Sequence, residues 1–88
     1  MKQEEIRTVL FEALQRAKGK KLDLATVRED SHLVKDLGLD SLDLIETGWE
    51  IEEKCGIVIR EDQLKSLATV SDVVKLVEEL TRDKPANT

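Results

Sequence analysis

Eighty-eight residues, 40% hydrophobic and 38% charged, make one small domain: too short for a second core, too apolar for a disordered chain and too charged for a membrane protein. A net charge of −5 and a pI near 4.9 argue against nucleic acid, whose binders neutralise phosphates with Lys and Arg. One cysteine, Cys55, allows no internal disulfide and has no partners for a structural metal. Apolar runs fall far short of the roughly 20 residues that span a bilayer, and the start MKQEEI lacks a signal peptide's apolar region. The expectation is a cytoplasmic monomer without membrane insertion.

From Gln3 to about Ala17, apolar residues at Ile6, Val9, Leu10, Ala13, Leu14 and Ala17 form one helical stripe, and Lys18-Gly19 supplies the stop. Residues 19–40 show no period. Lys20 and Lys21 continue the basic run begun at Lys18, and Leu22, Leu24, Val27, Leu33, Val34 and Leu37 are scattered apolar anchors. A loop this long in a compact domain points to function, here pinned to a core. The helical pattern returns at Ser41 and runs to Cys55, with Gly56 as its C-terminal stop. Ile57-Val58-Ile59 has no second strand to pair with and reads as a buried connection, and Glu61 to Ser66 reads as one or two helical turns. Thr69-Val70-Ser71-Asp72 offers hydroxyl caps, Ser71 being the expected N-cap, for a last helix through Val73, Val74, Leu76, Val77 and Leu80. The expected fold is all-α, three main helices plus a short third one, over residues 1–81 with a frayed tail at 82–88.

Residues 31–56 alone hold two basic and seven acidic groups, so the net charge of the whole chain sits there. On a helical wheel of the second helix, Leu44, Gly48, Ile51 and Cys55 fall within about 60° of one another and take the core side. Opposite them Asp43, Glu46, Glu50 and Glu53 form an acidic stripe, bordered by Leu42 and Trp49. Such a stripe solvates any surface helix. Yet its like-charge pairs oppose the helix by about 1 kcal/mol, with Lys54 alone as a partial offset within the helix, so docking to a basic patch with an apolar recess is the preferred reading. On that reading, reversing the charge of Glu46 or Glu50 weakens docking without loss of stability.

Ser41 has two readings. It is a favoured N-cap, as is Asp40 beside it; a serine at a helix N-terminus is also a good acceptor for a phosphate ester, which Asp40 and Asp43 would keep off the protein surface. A catalytic role is unsupported, because His32, the only histidine, lies in the preceding loop with no orienting carboxylate pattern. Asp36, Gly38, Asp40 and Asp43 lack EF-hand spacing.

These residues resemble the acyl carrier protein family. DLGLDSLDLIE (Asp36 to Glu46) is similar to its phosphopantetheine attachment motif with Ser41 on the modified serine, EIEEKCGIVI (Glu50 to Ile59) to the acidic end of its second helix, and LATVSDVVKLV (Leu67 to Val77) to the approach to its last helix. The resemblance spans roughly residues 4–80. It implies a four-helix carrier whose Ser41 receives 4'-phosphopantetheine from coenzyme A through a phosphopantetheinyl transferase. The arm's thiol would then carry acyl groups as thioesters among enzymes of fatty-acid, specialised lipid or polyketide-type synthesis, and the protein itself would be no enzyme. Asp40, Leu42, Asp43, Glu46 and Trp49 fall on the partner-facing surface, which the acidic stripe extends to Glu50 and Glu53.

Three positions depart from the family pattern. Gly48 and Cys55 stand where larger core side chains are usual, leaving space either for an unusual acyl chain or for repacking by Trp49 or Leu33. Trp49 replaces a methionine or smaller aliphatic, which narrows the range of partners and favours a dedicated carrier. Leu39-Asp40 before the serine differs from the glycine and histidine common in peptidyl carriers. An aminoacyl carrier of the D-alanyl type shares the acidic motif, and an unmodified helical adaptor for a basic partner is the reading from another class.

Overall fold

The computed structural model describes residues 2–19 and 22–82. Its helices are α1 (Gln3–Lys18), α2 (Ser41–Cys55), α3 (Glu61–Lys65) and α4 (Val70–Arg82), with a short 3-10 turn at Leu24–Thr26. No strand occurs among the described residues, and no described helix is long and apolar enough to cross a membrane. The all-α, four-helix expectation holds. Lys20, Lys21 and residues 83–88 lie outside the described residues, and so does the expected tail apart from Arg82, which closes α4.

The stripe of α1 buries Ile6, Leu10, Ala13 and Leu14, and α4 contributes Val70, Val73, Val74 and Val77. α1 packs chiefly on α2 and then on α4, while the short α3 touches α2 lightly and buries none of its own residues fully. The long loop supplies Leu22, Leu33, Leu37 and Leu39 to this core. Val34, read as an anchor, is instead 48% exposed. Its neighbour explains this: His32 Nδ1 accepts the N–H groups of Val34 and Lys35, each at 3.1 Å, so the chain turns at that point and Val34 lies on the outside. The Asp36 carboxylate accepts the His32 N–H at 2.6 Å and completes the turn.

The loop is stitched to the α3–α4 connection. Leu33 N–H donates to Ala68 at 2.8 Å, Val70 N–H to Ser31 at 3.1 Å and Ser71 N–H to Glu29 at 2.8 Å. The Ile57–Ile59 connection is only partly buried: Ile57 faces the core, Ile59 packs against it, and Val58 points outward at 75% exposure. Alternation in an extended segment sends neighbouring side chains to opposite sides. The Ile59 N–H donates to the Glu52 carboxylate at 2.7 Å, which ties this connection back to α2 and holds α3 across from it.

Thr69, not Ser71, caps α4. The Asp72 N–H donates to Thr69 Oγ1 at 3.2 Å, and the Asp72 carboxylate accepts the N–H groups of Thr69 and Ala68 at 3.0 Å each. This reciprocal box starts the helix two residues earlier than a Ser71 cap allows. The Thr69 N–H, then the Ala68 N–H, hold the Asp72 carboxyl below its usual 3.8. A depressed folded-state pKa contributes stability that is present above the unfolded value and lost as pH falls through the folded one. Asp72→Ala is therefore expected to cost about 1 kcal/mol at neutral pH. Denaturant unfolding at pH 7 and at pH 3 should show that margin shrinking in acid; an unchanged margin at pH 3 would contradict the charged cap.

Candidate functional site

The chain enters α2 through Leu37-Gly38-Leu39. Gly38 sits at φ +72°, a conformation that a side chain resists, and the bend lets the leucines on both sides of it bury. Asp40 then serves as the N-cap. The Asp43 N–H donates to Asp40 Oδ1 at 2.8 Å, and the Asp40 N–H donates to Asp43 Oδ2 at 3.1 Å. Leu39 and Leu44, just before the cap and one turn inside it, line the same small void, the apolar pairing that fixes the angle at which a chain enters a helix. With Asp40 as the cap, Ser41 becomes the first residue of α2, exposed and free of capping duty.

α1 reaches this corner from below. Lys18 Nζ donates to the Gly38 carbonyl at 3.0 Å and pairs with Asp43 Oδ2 at 3.4 Å. The acidic stripe accordingly splits in two. Asp43 (15% exposed) and Glu50 (16%) turn toward α1, where Glu50 Oε1 pairs with Arg16 at 3.3 Å and Glu50 Oε2 lies 4.0 Å from Lys54. Glu46 and Glu53 remain exposed. The self-repulsion read from the wheel is thus relieved by cations of α1, which a single-helix projection omits. Leu42 (60% exposed) and Trp49 (64%) stand beside the open acids, with Ile45 at the border.

Between α2 and α3 runs a groove of about 380 Å³. Ser41 stands in its wall with Leu44, Ile45, Gly48 and Trp49 from α2, and Ile59 and Leu64 face them. At Gly48 a Cβ would meet Leu64 Cδ1 at 3.4 Å, ordinary contact distance. Trp49 stays in solvent and does not refill the space that Gly48 leaves; Leu64 approaches it from α3. A second, inner void of about 10 Å³, the size of one water at most, lies behind Leu44, Gly48, Ile59 and Leu64, which line both spaces.

Thr47 was not among the core positions read from the sequence. It is 5% exposed, lines the inner void, and its Oγ1 has no hydrogen-bond partner among the described residues. On the wheel it lies only about 40° from Ile51, so its angular position was the available signal, masked by its polar identity. An unpaired buried hydroxyl costs about 1–3 kcal/mol.

An exposed primary hydroxyl at a helix start, with an apolar groove leading from it, suits covalent attachment of a flexible arm whose far end can retreat into the groove. The residues fit such a group: the hydroxyl is exposed, Asp40 rather than Ser41 caps the helix, and the flanking carboxylates repel a phosphodiester from the surface. His32 offers Ser41 no base, since its Nδ1 is engaged by Val34 and Lys35.

Comparison with known proteins agrees with this geometry. The phosphopantetheine attachment site family matches residues 9–77. The acyl carrier protein of Helicobacter pylori is 42% identical over 72 residues, covering 80% of this chain and 92% of that protein. The acyl carrier protein of Campylobacter hominis is 38% identical over 81 residues, 92% and 95% of the two chains, and that of a Sulfurovum species is 50% identical over 52 residues, 59% and 69%. The chain belongs to the acyl carrier protein family, whose members are non-catalytic carriers bearing a covalent 4'-phosphopantetheine.

Proposed function

We propose that Ser41 bears the phosphopantetheine arm and that this protein, acting as a monomer, passes acyl groups among enzymes that dock on the open side of α2. The observation that carries the reading is the division of labour between neighbours: Asp40 caps the helix, which leaves the Ser41 hydroxyl exposed at the head of an apolar groove. When bound, the arm supplies a terminal thiol that holds the acyl group as a thioester. The chain's own residues present that arm, keep its phosphate off the surface through Asp40 and Asp43, and offer the cargo a wall of Leu44, Ile45, Gly48 and Leu64.

The relatives' names favour an acyl over an aminoacyl cargo. Among the partner-facing residues, Glu46 and Glu53 supply the charge that remains free for a basic patch, and Leu42 and Trp49 supply the apolar contact. Asp40 adds charge beside the arm. Asp43 and Glu50 act chiefly by holding α2 on α1, so their share of docking is the smaller. The same docking surface serves the phosphopantetheinyl transferase and the acyl-transferring enzymes. Trp49 restricts the set to partners with a recess wide enough for an indole, which supports a dedicated pathway.

Incubation with coenzyme A, magnesium and a broad-specificity phosphopantetheinyl transferase should add one phosphopantetheine to the wild type by intact mass. Ser41→Ala should gain none, while its melting curve stays within about 0.5 kcal/mol of the parent because Asp40 still caps α2. Addition to the variant would move the attachment elsewhere.

Charge reversal separates the two halves of the acidic stripe. Glu46→Lys should leave stability unchanged within about 0.5 kcal/mol and lower transferase affinity with a smaller salt dependence. Glu50→Lys should instead lose stability, by about 1 kcal/mol or more, since it places a third cation beside Arg16 and Lys54. Equal unfolding midpoints for the two variants would refute this split.

A further inference from the structure

Lys18 is the last residue of α1, and Gly19 ends the helix directly after it, so the lysine stem leaves a fixed helix end. Its ammonium crosses to the start of α2 and meets two groups there, the Gly38 carbonyl at 3.0 Å and Asp43 Oδ2 at 3.4 Å. Both partners are largely covered: the Lys18 side chain is 21% exposed and that of Asp43 15%. Water and salt screen such a pair weakly, so it counts for more than an exposed one.

Asp43 Oδ2 has a second duty. It accepts the Asp40 N–H at 3.1 Å, while Asp40 Oδ1 accepts the Asp43 N–H at 2.8 Å. Two carboxylates on one helical turn repel each other, and the box holds them together. Among the described ion pairs, Lys18 supplies the cation that offsets this repulsion. Without that charge an alternative start lies one residue further on, with Ser41 as the N-cap and its Oγ accepting the N–H of Asp43 or Leu44. In that register the hydroxyl is committed to the helix. Arg16 offers the contrast, since it pairs with Glu50 across the same α1–α2 seam but further along α2, away from the box.

We infer that Lys18 is a positioning residue for attachment of the arm: by holding Asp43 in the box with Asp40, it keeps the N-cap on Asp40 and the Ser41 oxygen free to react. This rests on the carrier reading and deepens it. In the transfer, the Ser41 oxygen bonds the phosphorus next to the pantetheine portion of coenzyme A and the pyrophosphate P–O bond breaks. The nucleotide portion leaves, and the hydroxyl proton passes to a base of the transferase. An oxygen whose lone pair already accepts a backbone N–H is the poorer nucleophile, because that hydrogen bond must be given up first. Lys18 touches no reacting atom and acts through Asp43 and Asp40.

The first test uses the unmodified protein. Ser41→Ala in a Lys18→Met background should lower the melting temperature by about 4–8 °C more than it does in wild type, because there the hydroxyl has become the cap. The second follows transfer of phosphopantetheine from coenzyme A by intact mass, well below every melting point and over a range of carrier concentrations. Lys18→Met should lower kcat about fivefold, the value of one net hydrogen bond, without raising KM for the carrier, since Glu46 and Glu53 still dock. Lys18→Arg should keep the wild-type rate, and so should Arg16→Met. Equal kcat for Lys18→Met and Arg16→Met would overturn the inference, as would a Ser41→Ala change that costs the same in both backgrounds. A wild type that gains no arm would sink the carrier reading instead, and the melting comparison, which needs no arm, would still decide the role of Lys18.

Discussion

Lys18 and the Asp40–Asp43 box together set the geometry on which the rest depends. The box decides where α2 begins, and Lys18, bonded to the Gly38 carbonyl and paired with Asp43, decides where that beginning lies relative to α1. Without the box, the last loop residues and the first turn of α2 would have unpaired backbone N–H groups, and Ser41 would be the next candidate to cap them. Because Asp40 takes that role, Ser41 is held by a rigid backbone while its hydroxyl stays uncommitted. Rigid placement of a free hydroxyl is what a tether needs. The long loop serves the same end: the His32-capped turn and the bonds from Leu33 and Val70 fasten it to the start of α4, so that Leu37 and Leu39 arrive at fixed positions.

α2 then performs four tasks on four sides. Taking Ser41 as zero on the wheel, the sector from roughly 240° to 340° holds Thr47, Ile51, Leu44, Cys55 and Gly48 and faces the interior. Across zero to about 80°, Glu52, Ile45 and Trp49 border the groove. At about 100° to 140° come Leu42, Glu53 and Glu46, open to solvent, and at about 180° to 200° Glu50 and Asp43 meet α1. Trp49 stands where groove and open side join, and Gly48 where groove and interior join. Two of the three departures from the family pattern, Gly48 and Trp49, thus occupy boundaries of this helix, while the third, Cys55, faces the interior.

Much of this was legible in the sequence. Helix boundaries at Ser41 and Cys55 followed from a capping pair and a glycine, signals that act locally and need no tertiary partner. Legibility failed where the deciding partner lay far away in the chain. Asp43 and Glu50 looked free because Lys18 and Arg16 are 25 and 34 positions distant, and Val34 looked like an anchor because the turn that expels it is made by a histidine ring rather than by glycine or proline. At α4 the choice between Thr69 and Ser71 turned on Asp72, which completes a box three residues after Thr69 and cannot do so for Ser71.

Thr47 and Gly48 were hard to read for a different reason. Both lower stability as a pair: a glycine inside a helix costs about 1 kcal/mol against alanine, and a buried hydroxyl without a partner costs at least as much. A small domain with a modest core has little margin for two such losses side by side. Glu50 Oε2 is buried without a hydrogen-bond partner as well, but Lys54 stands 4.0 Å from it, and natural sequences that break local consistency tend to do so at functional sites. The break falls at the partition between the groove and the interior, beside the least anchored helix of the bundle.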